Sequence, residues 1–283
     1  MSMKEACAAA MDALAAIVPK PPADGVIGQD GLLYCPVCQK PLQVKIRRFP
    51  DEPERIVPCV CKCVADELER QQREKEHREF LQRVSKLRSA GFPDSDFETW
   101  NFEADDGSNP KLQTALRSYV DNFDTFSQKG KGLLLWGSVG TGKTFAAACI
   151  ANALIDKGVP VLMTNFHRIA NTLQGKFDGR QDYIDGLNDF PLLIIDDLKT
   201  ERQTEYMQEI VYNIIDSRYR SGKPFIITTN LTLQEVKTPK NISDGRSFDR
   251  ILERCFPVEV NGASKRRKKI IADYEETKKM LGL

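Results

Sequence analysis

Eight consecutive residues, Gly137-Ser138-Val139-Gly140-Thr141-Gly142-Lys143-Thr144, carry the glycine spacing and closing Lys-Thr pair of a phosphate cradle. Glycines at these points let backbone N–H groups wrap an anion. Lys143 sets a positive charge against the β and γ phosphates, and the Thr144 hydroxyl can ligate Mg²⁺. The apolar run 191–195 ends in Asp196-Asp197, 53 residues after Lys143. Asp196 there would hold Mg²⁺ together with Thr144, while Asp197 would orient or deprotonate an attacking water. Glu often fills the second acidic position; Asp is one methylene shorter, which implies slow or partner-dependent hydrolysis. A third apolar run, 224–230, closes on Asn230, placed to position that water and sense the γ-phosphate.

Five of the eight cysteines, Cys35, Cys38, Cys59, Cys61 and Cys63, fall within 29 positions. Such clustering points to metal more than to disulfides in a reducing compartment. The pair Cys35-Pro36-Val37-Cys38 makes a tight knuckle for two thiolates, and two of Cys59, Cys61 and Cys63 can close a tetrahedral site. Strand alternation would put these three on one face, so four of the five ligate, with Cys61 and Cys63 favoured. An all-sulfur set selects Zn²⁺, leaves no open position for water, and so implies a structural metal.

These groups need elements to hold them. The continuous apolar run at 132–136 has the character of a buried parallel strand and leads straight into the glycine loop. A helix over 144–156 would then aim its positive N-terminus at the phosphates. Further strands are expected at 159–163, 191–195 and 224–230. Residues 33–63 have too little apolar content for a core and would depend on the metal. Residues 64–88 read as a charged, largely solvated helix, and 3–17 as a short amphipathic helix. Three regions follow: 1–63, a helix with a zinc-binding module; 64–88, a linker helix; and 89–283, a nucleotide-binding domain with a basic C-terminal helix.

Composition sets the bounds. The chain has 283 residues, 41% hydrophobic and 29% charged, with mean hydropathy −0.40, as expected of a soluble protein with a core of its own. Forty-one basic against forty acidic residues leave a net charge of +1, so any nucleic-acid contact must come from local patches. There is no apolar run long enough to span a bilayer and no signal-peptide pattern, so a cytoplasmic protein without a membrane partner is expected. The sequence also lacks the Asn-Lys-x-Asp guanine reader, which favours ATP. Neither His77 nor His167 sits in a catalytic pattern.

The glycine loop, Leu192-Leu193-Ile194-Ile195-Asp196-Asp197-Leu198, Ile214-Ile215-Asp216-Ser217-Arg218-Tyr219, Lys223-Pro224-Phe225-Ile226-Ile227-Thr228-Thr229-Asn230, Asp249-Arg250-Ile251-Leu252-Glu253-Arg254 and Gly262-Ala263-Ser264-Lys265-Arg266 occur in one order. Together they resemble the AAA+ helicase loaders of the DnaC/DnaI type, over roughly residues 92–267. The resemblance implies an α/β P-loop NTPase with a five-stranded parallel sheet flanked by helices, preceded by a small zinc-binding module and a linker helix. It also implies an ATPase that binds the hexameric replicative DNA helicase, helps place it on single-stranded DNA, and forms homo-oligomers through its ATP sites. Under it Arg250 is the arginine finger reaching a neighbour's γ-phosphate, with Arg246 the second candidate and Arg254 structural. Arg266 becomes a nucleotide contact in cis, and Lys176 and Phe177 become DNA contacts. Many relatives follow the acid pair with Leu-Gly, whereas this chain has Leu198-Lys199. An IstB-like ATPase that regulates a DNA transposase shares the core but has no need of the cysteine module. A non-hydrolysing scaffold is opposed by the complete set Lys143, Asp196, Asn230 and Arg250.

Overall fold

The computed structural model describes residues 25–47, 53–92, 94–175, 179–198, 204–239, 242–262, 274 and 277–281. The helix expected at 3–17, Lys176, Phe177, Lys199, Arg266 and the basic run 265–269 lie outside the described residues. Two compact units emerge, one ending at Phe80 and the other starting at Leu81.

The first unit is nearly all surface. Strands β1 (Val26–Ile27) and β2 (Leu33–Tyr34) pair antiparallel, as do β3 (Gln43–Ile46) and β4 (Arg55–Pro58). Among its described residues Leu32, Leu42, Cys35 and Cys61 are buried, the last three forming a cluster with Leu33, Cys38, Cys63 and Val64 packed against it. So small a cluster is the setting in which a bound metal adds most to stability. Helix α1 (Lys62–Gly91) begins here, and only Val84 and Gly91, late in its length, are buried. Pairs such as Arg70 with Glu67 and Arg73 with Glu69 are exposed, as a solvated charged helix requires.

In the second unit a five-stranded parallel sheet runs in the order β6-β7-β8-β5-β9. Its strands are β5 (Gly132–Trp136), β6 (Val161–Asn165), β7 (Leu192–Leu198), β8 (Phe225–Thr229) and β9 (Cys255–Glu259). The expected five-stranded α/β architecture is therefore present. Strand alternation divides the core into two layers. Leu133, Leu135, Leu192, Ile194 and Ile226 face α2 (Pro110–Asp121), α3 (Phe123–Gln128) and α4 (Lys143–Asp156). Leu134, Leu193, Ile195, Phe225 and Ile227 face α5 (Phe166–Gln174), α6 (Arg180–Leu187), α7 (Glu205–Ser221) and α9 (Ile242–Arg254). The short α8 (Leu233–Lys237) contributes Val236 to the second layer. Burial on both faces explains why these strands read as unbroken apolar runs.

The chain leaves β5 toward β6 at one edge and leaves β8 toward β9 at the other. The carboxyl ends of the adjacent strands β5 and β8 thus border the switch point where open parallel sheets place ligands. Observed boundaries differ modestly from expectation. The strand expected at 159–163 runs Val161–Asn165, and β7 continues through the two acids to Leu198.

Candidate phosphate site and cysteine cluster

The glycine loop connects β5 to α4. Gly137 has φ of 151°, and a Cβ there would collide with the Val260 carbonyl. Gly142 caps α4 with φ of 100°, a left-handed conformation that glycine adopts without steric cost. Ser138 and Val139 are exposed at the crown of the loop, Gly140 is half-buried, and Thr141 is buried with its hydroxyl donating to Ser138 O at 2.9 Å. Lys143 is 6% exposed, and its Nζ donates to the carbonyls of Gly137 at 3.0 Å and Ser138 at 2.8 Å. The ammonium is therefore desolvated and held inside the loop by the loop's own carbonyls.

Asp196 is half-buried on β7, in register with Asn165 of β6. Burial raises its carboxyl above the ordinary value, opposed by a hydrogen bond from Thr228; the neighbouring Asp197 adds to the rise, and Thr144 and Lys143 oppose it. Lys143, Thr144, Asp196 and Asp197 therefore meet at one place. Thr228 donates from Oγ1 to Asp196 Oδ1 at 2.6 Å, a partner that pattern reading missed because it depends on how β7 and β8 register. Asn230, half-buried, directly follows β8, whose Thr229 lies opposite Trp136 at the mouth of the glycine loop. A cleft beside Thr141 and Gly142 is walled by Phe102, Leu112, Leu116, Phe145, Cys149 and Val260. Its polar edge includes Asn109, which donates to Asn261 Oδ1 at 3.2 Å, and Gln113, which donates to the Phe102 carbonyl at 2.9 Å. Segment 97–104 is fastened to α4 by the buried Asn152, whose Nδ2 donates to the carbonyls of Phe97 at 2.7 Å and Trp100 at 2.8 Å.

The arginines lie elsewhere. Arg250, on α9, pairs with Asp216 of α7 at 2.5 Å and stacks over the Tyr212 ring at 4.8 Å. Asp216 also takes Arg220 at 2.5 Å and is 10% exposed, so its carboxylate is neutralised by two guanidinium groups. Arg250 is thus tied within its own chain, a constraint that the sequence expectation of a reaching finger did not contain. Arg246, one turn earlier on the same helix, is exposed. Arg254 lies over the Tyr219 ring at 4.8 Å.

In the first unit the sulfurs of Cys35, Cys38, Cys61 and Cys63 lie within 4.8 Å of one another. Tetrahedral zinc–thiolate bonds of about 2.3 Å place sulfurs roughly 3.8 Å apart, so the four thiols are near enough to converge on such an ion. Cys59 lies outside this cluster, its Sγ directed to the Pro41 carbonyl at 3.2 Å. The expected strand alternation across Cys59, Cys61 and Cys63 does not occur. Strand β4 ends at Pro58, Cys61 lies immediately before α1 with its carbonyl accepting from Ala65 N, and Cys63 is in the first turn of that helix. Crowding of the thiols pushes Cys63 up to about 11, chiefly through its hydrogen bond with Cys38, and raises Cys61 as well, the Val64 backbone N–H beside it being outweighed by burial and the neighbouring sulfurs. Gln39, after the knuckle, has φ of 55°, and the Lys40 backbone N–H beside Cys38 draws its thiol down to about 7.

The family model described as "IstB-like ATP binding protein" matches residues 62–272. The chain belongs to that family. The replicative helicase loader DnaI of Bacillus subtilis (strain 168) is 24% identical over 179 residues, 58% of either chain. The replicative helicase loader DnaC of Escherichia coli (strain K12) is 27% identical over 144 residues, 50% of this chain and 57% of that protein. The match thus spans less than two thirds of either loader. Among solved structures, a DnaI crystal structure superposes with TM-score 0.52 at 22% identity, covering 64% of this chain and 99% of that one. A DnaC helicase loader crystal structure gives TM-score 0.50 at 23% identity, covering 59% and 100%. These likenesses show the AAA+ fold. Among the described residues no helix is long and apolar enough to cross a membrane.

Proposed function

We propose that this chain is an ATP-dependent loader that binds the replicative DNA helicase and delivers it onto single-stranded DNA during replication initiation. It would act in the cytoplasm as a homo-oligomer whose ATP sites lie between protomers. The observation that carries the reading is the convergence of Lys143, Thr144 and Asp196 at the carboxyl ends of β5 and β7, in a chain whose relatives include two named helicase loaders.

In this mechanism the backbone N–H groups of the glycine loop take the β and γ phosphates. Lys143 leaves the carbonyls of Gly137 and Ser138 and turns onto the phosphates. Thr144 and Asp196 would hold Mg²⁺, which when bound neutralises charge on the phosphate oxygens. Asp197 accepts the proton of, or orients, the lytic water, and Asn230 fixes that water against the γ-phosphate. The apolar walls of Phe102, Leu112 and Phe145 suit an adenine ring. For the guanidinium supplied by a neighbour we favour exposed Arg246. Moving Arg250 would leave the Asp216 carboxylate with one partner fewer in a largely buried place, so Arg250 acts as a strut. Arg266 remains the proposed cis contact, and Lys176 and Phe177 the proposed DNA contacts. Cys35, Cys38, Cys61 and Cys63 would hold a structural Zn²⁺ in a helicase-docking module.

Co-purification with a hexameric helicase, followed by a loading assay on protein-coated single-stranded DNA, tests the proposal. Loading that needs ATP and Lys143 supports it. The IstB-like family description favours a second reading, regulation of a DNA transposase; binding to a transposase and to no helicase would select it.

A further inference from the structure

Thr228 is fully buried, and its single hydroxyl joins both acids. Oγ1 donates to Asp196 Oδ1 at 2.6 Å and accepts the backbone N–H of Asp197 at 2.8 Å. At the same place the register between β7 and β8 shifts between Ile195 and Leu198, and inside that shift Asp197 adopts φ of 59°. The next residue of β8, Thr229, is also fully buried and donates from Oγ1 to Leu198 O at 3.0 Å, so two consecutive threonines staple the bulge on either side of Asp197. Bulges beside functional sites re-aim side chains. A left-handed backbone is costly for most residues, but Asp and Asn enter it more readily than others.

We infer that Thr228 is a positioning residue for the acid pair: its hydroxyl holds the Asp196 carboxylate in place and locks Asp197 in the left-handed bulge, and this backbone is why Asp rather than Glu stands at position 197. The inference deepens the phosphate-site reading and rests on it for the purpose of the pair. The two hydrogen bonds are mutually dependent. Because Oγ1 accepts from Asp197 N–H, the hydroxyl proton is left to point at Asp196. An ordinary buried hydroxyl would affect stability alone, whereas this one should also affect how the carboxylate receives a cation.

The test uses the full chain carrying T228V or T228S, with two readouts. The first is the affinity for a fluorescent adenosine triphosphate analogue with Mg²⁺ and with chelator. T228V should lose about tenfold or more of the affinity gained from Mg²⁺, the size typical of removing a partner that orients a metal ligand, and keep its affinity in chelator. T228S should restore the gain. The second readout is hydrogen exchange at the Asp197 amide in nucleotide-free protein, which T228V should speed and T228S leave slow. D197N should melt at the wild-type temperature and D197E below it. A folded T228V protein with the wild-type Mg²⁺ gain and a protected Asp197 amide overturns the inference, as does T228S behaving like T228V. If the valine protein does not fold, T228A gives the same two readouts. A wild type that binds no nucleotide sinks the phosphate-site reading, while the amide exchange still decides the staple.

Discussion

At the scale of single residues, the site combines groups that are uncomfortable without a ligand. Asp196 is held above its ordinary value of 3.8, mainly by burial. A raised carboxyl binds its proton more tightly folded than unfolded. Its contribution to stability is therefore full below the unfolded value and is lost as pH rises through the folded value. Above the unfolded value the group therefore works against folding until a cation arrives. Asp196→Asn should accordingly raise the melting temperature of the nucleotide-free protein at neutral pH while abolishing the Mg²⁺-dependent part of nucleotide affinity. A variant that melts lower would contradict this account of the burial. For the wild type, the Mg²⁺-dependent gain should fade on acidification at a pH above the range of an ordinary exposed Asp. A titration of analogue affinity against pH checks that sign.

At the scale of elements, helix α7 carries two devices that no local pattern advertises. Arg218 is fully buried and donates to the carbonyls of Leu187, Phe190, Pro191 and Pro224, tying the loop before β7 to the start of β8. Burial pulls its guanidinium down to about 10, so it remains charged at neutral pH. Arg218→Met keeps the apolar stem and leaves those carbonyls without partners, at about 1–3 kcal/mol for each group left unsatisfied. The expected loss is at least ~3 kcal/mol, read as a melting temperature lower by roughly 6–12 °C. Two residues earlier Asp216 joins α7 to α9 through Arg250. Arg250→Ala should therefore lower the melting temperature, whereas Arg246→Ala should leave it unchanged and reduce hydrolysis only under conditions where protomers assemble. The reverse pattern would return the finger to Arg250. The difference in legibility has a physical basis. The glycine loop is contiguous and its backbone needs are local, so the residues from Gly137 to Thr144 announce themselves. Each central strand is buried on both faces and reads as an apolar run. By contrast, Thr228 acts through strand register, Arg250 through a partner 34 positions earlier, and Cys59 drops out because Pro58 ends a strand that sequence alone extends.

At the scale of the whole molecule, two units depend on different kinds of cohesion. The unit from Leu81 onward holds two apolar layers on a five-stranded sheet. Among the described residues, the unit ending at Phe80 buries little beyond Leu32, Leu42 and two cysteines, and a metal held by its four clustered thiols would add the cohesion of a cross-link. Metal analysis of the purified chain should give about one zinc per chain. Cys59→Ser should keep the zinc and Cys38→Ser should release it. Chelation or acidification should unfold the first unit while the unit starting at Leu81 keeps its own melting transition. A metal-free protein with the first unit fully folded would contradict this. The central claim concerns the meeting of loop and acids around a nucleotide, and it is tested most directly by titrating a fluorescent adenosine triphosphate analogue into wild type and Lys143→Ala with Mg²⁺ present. Saturable binding by the wild type, lost in a Lys143→Ala protein that still melts cooperatively, is the predicted result. Equal binding by both proteins, or none by the wild type, would contradict the account.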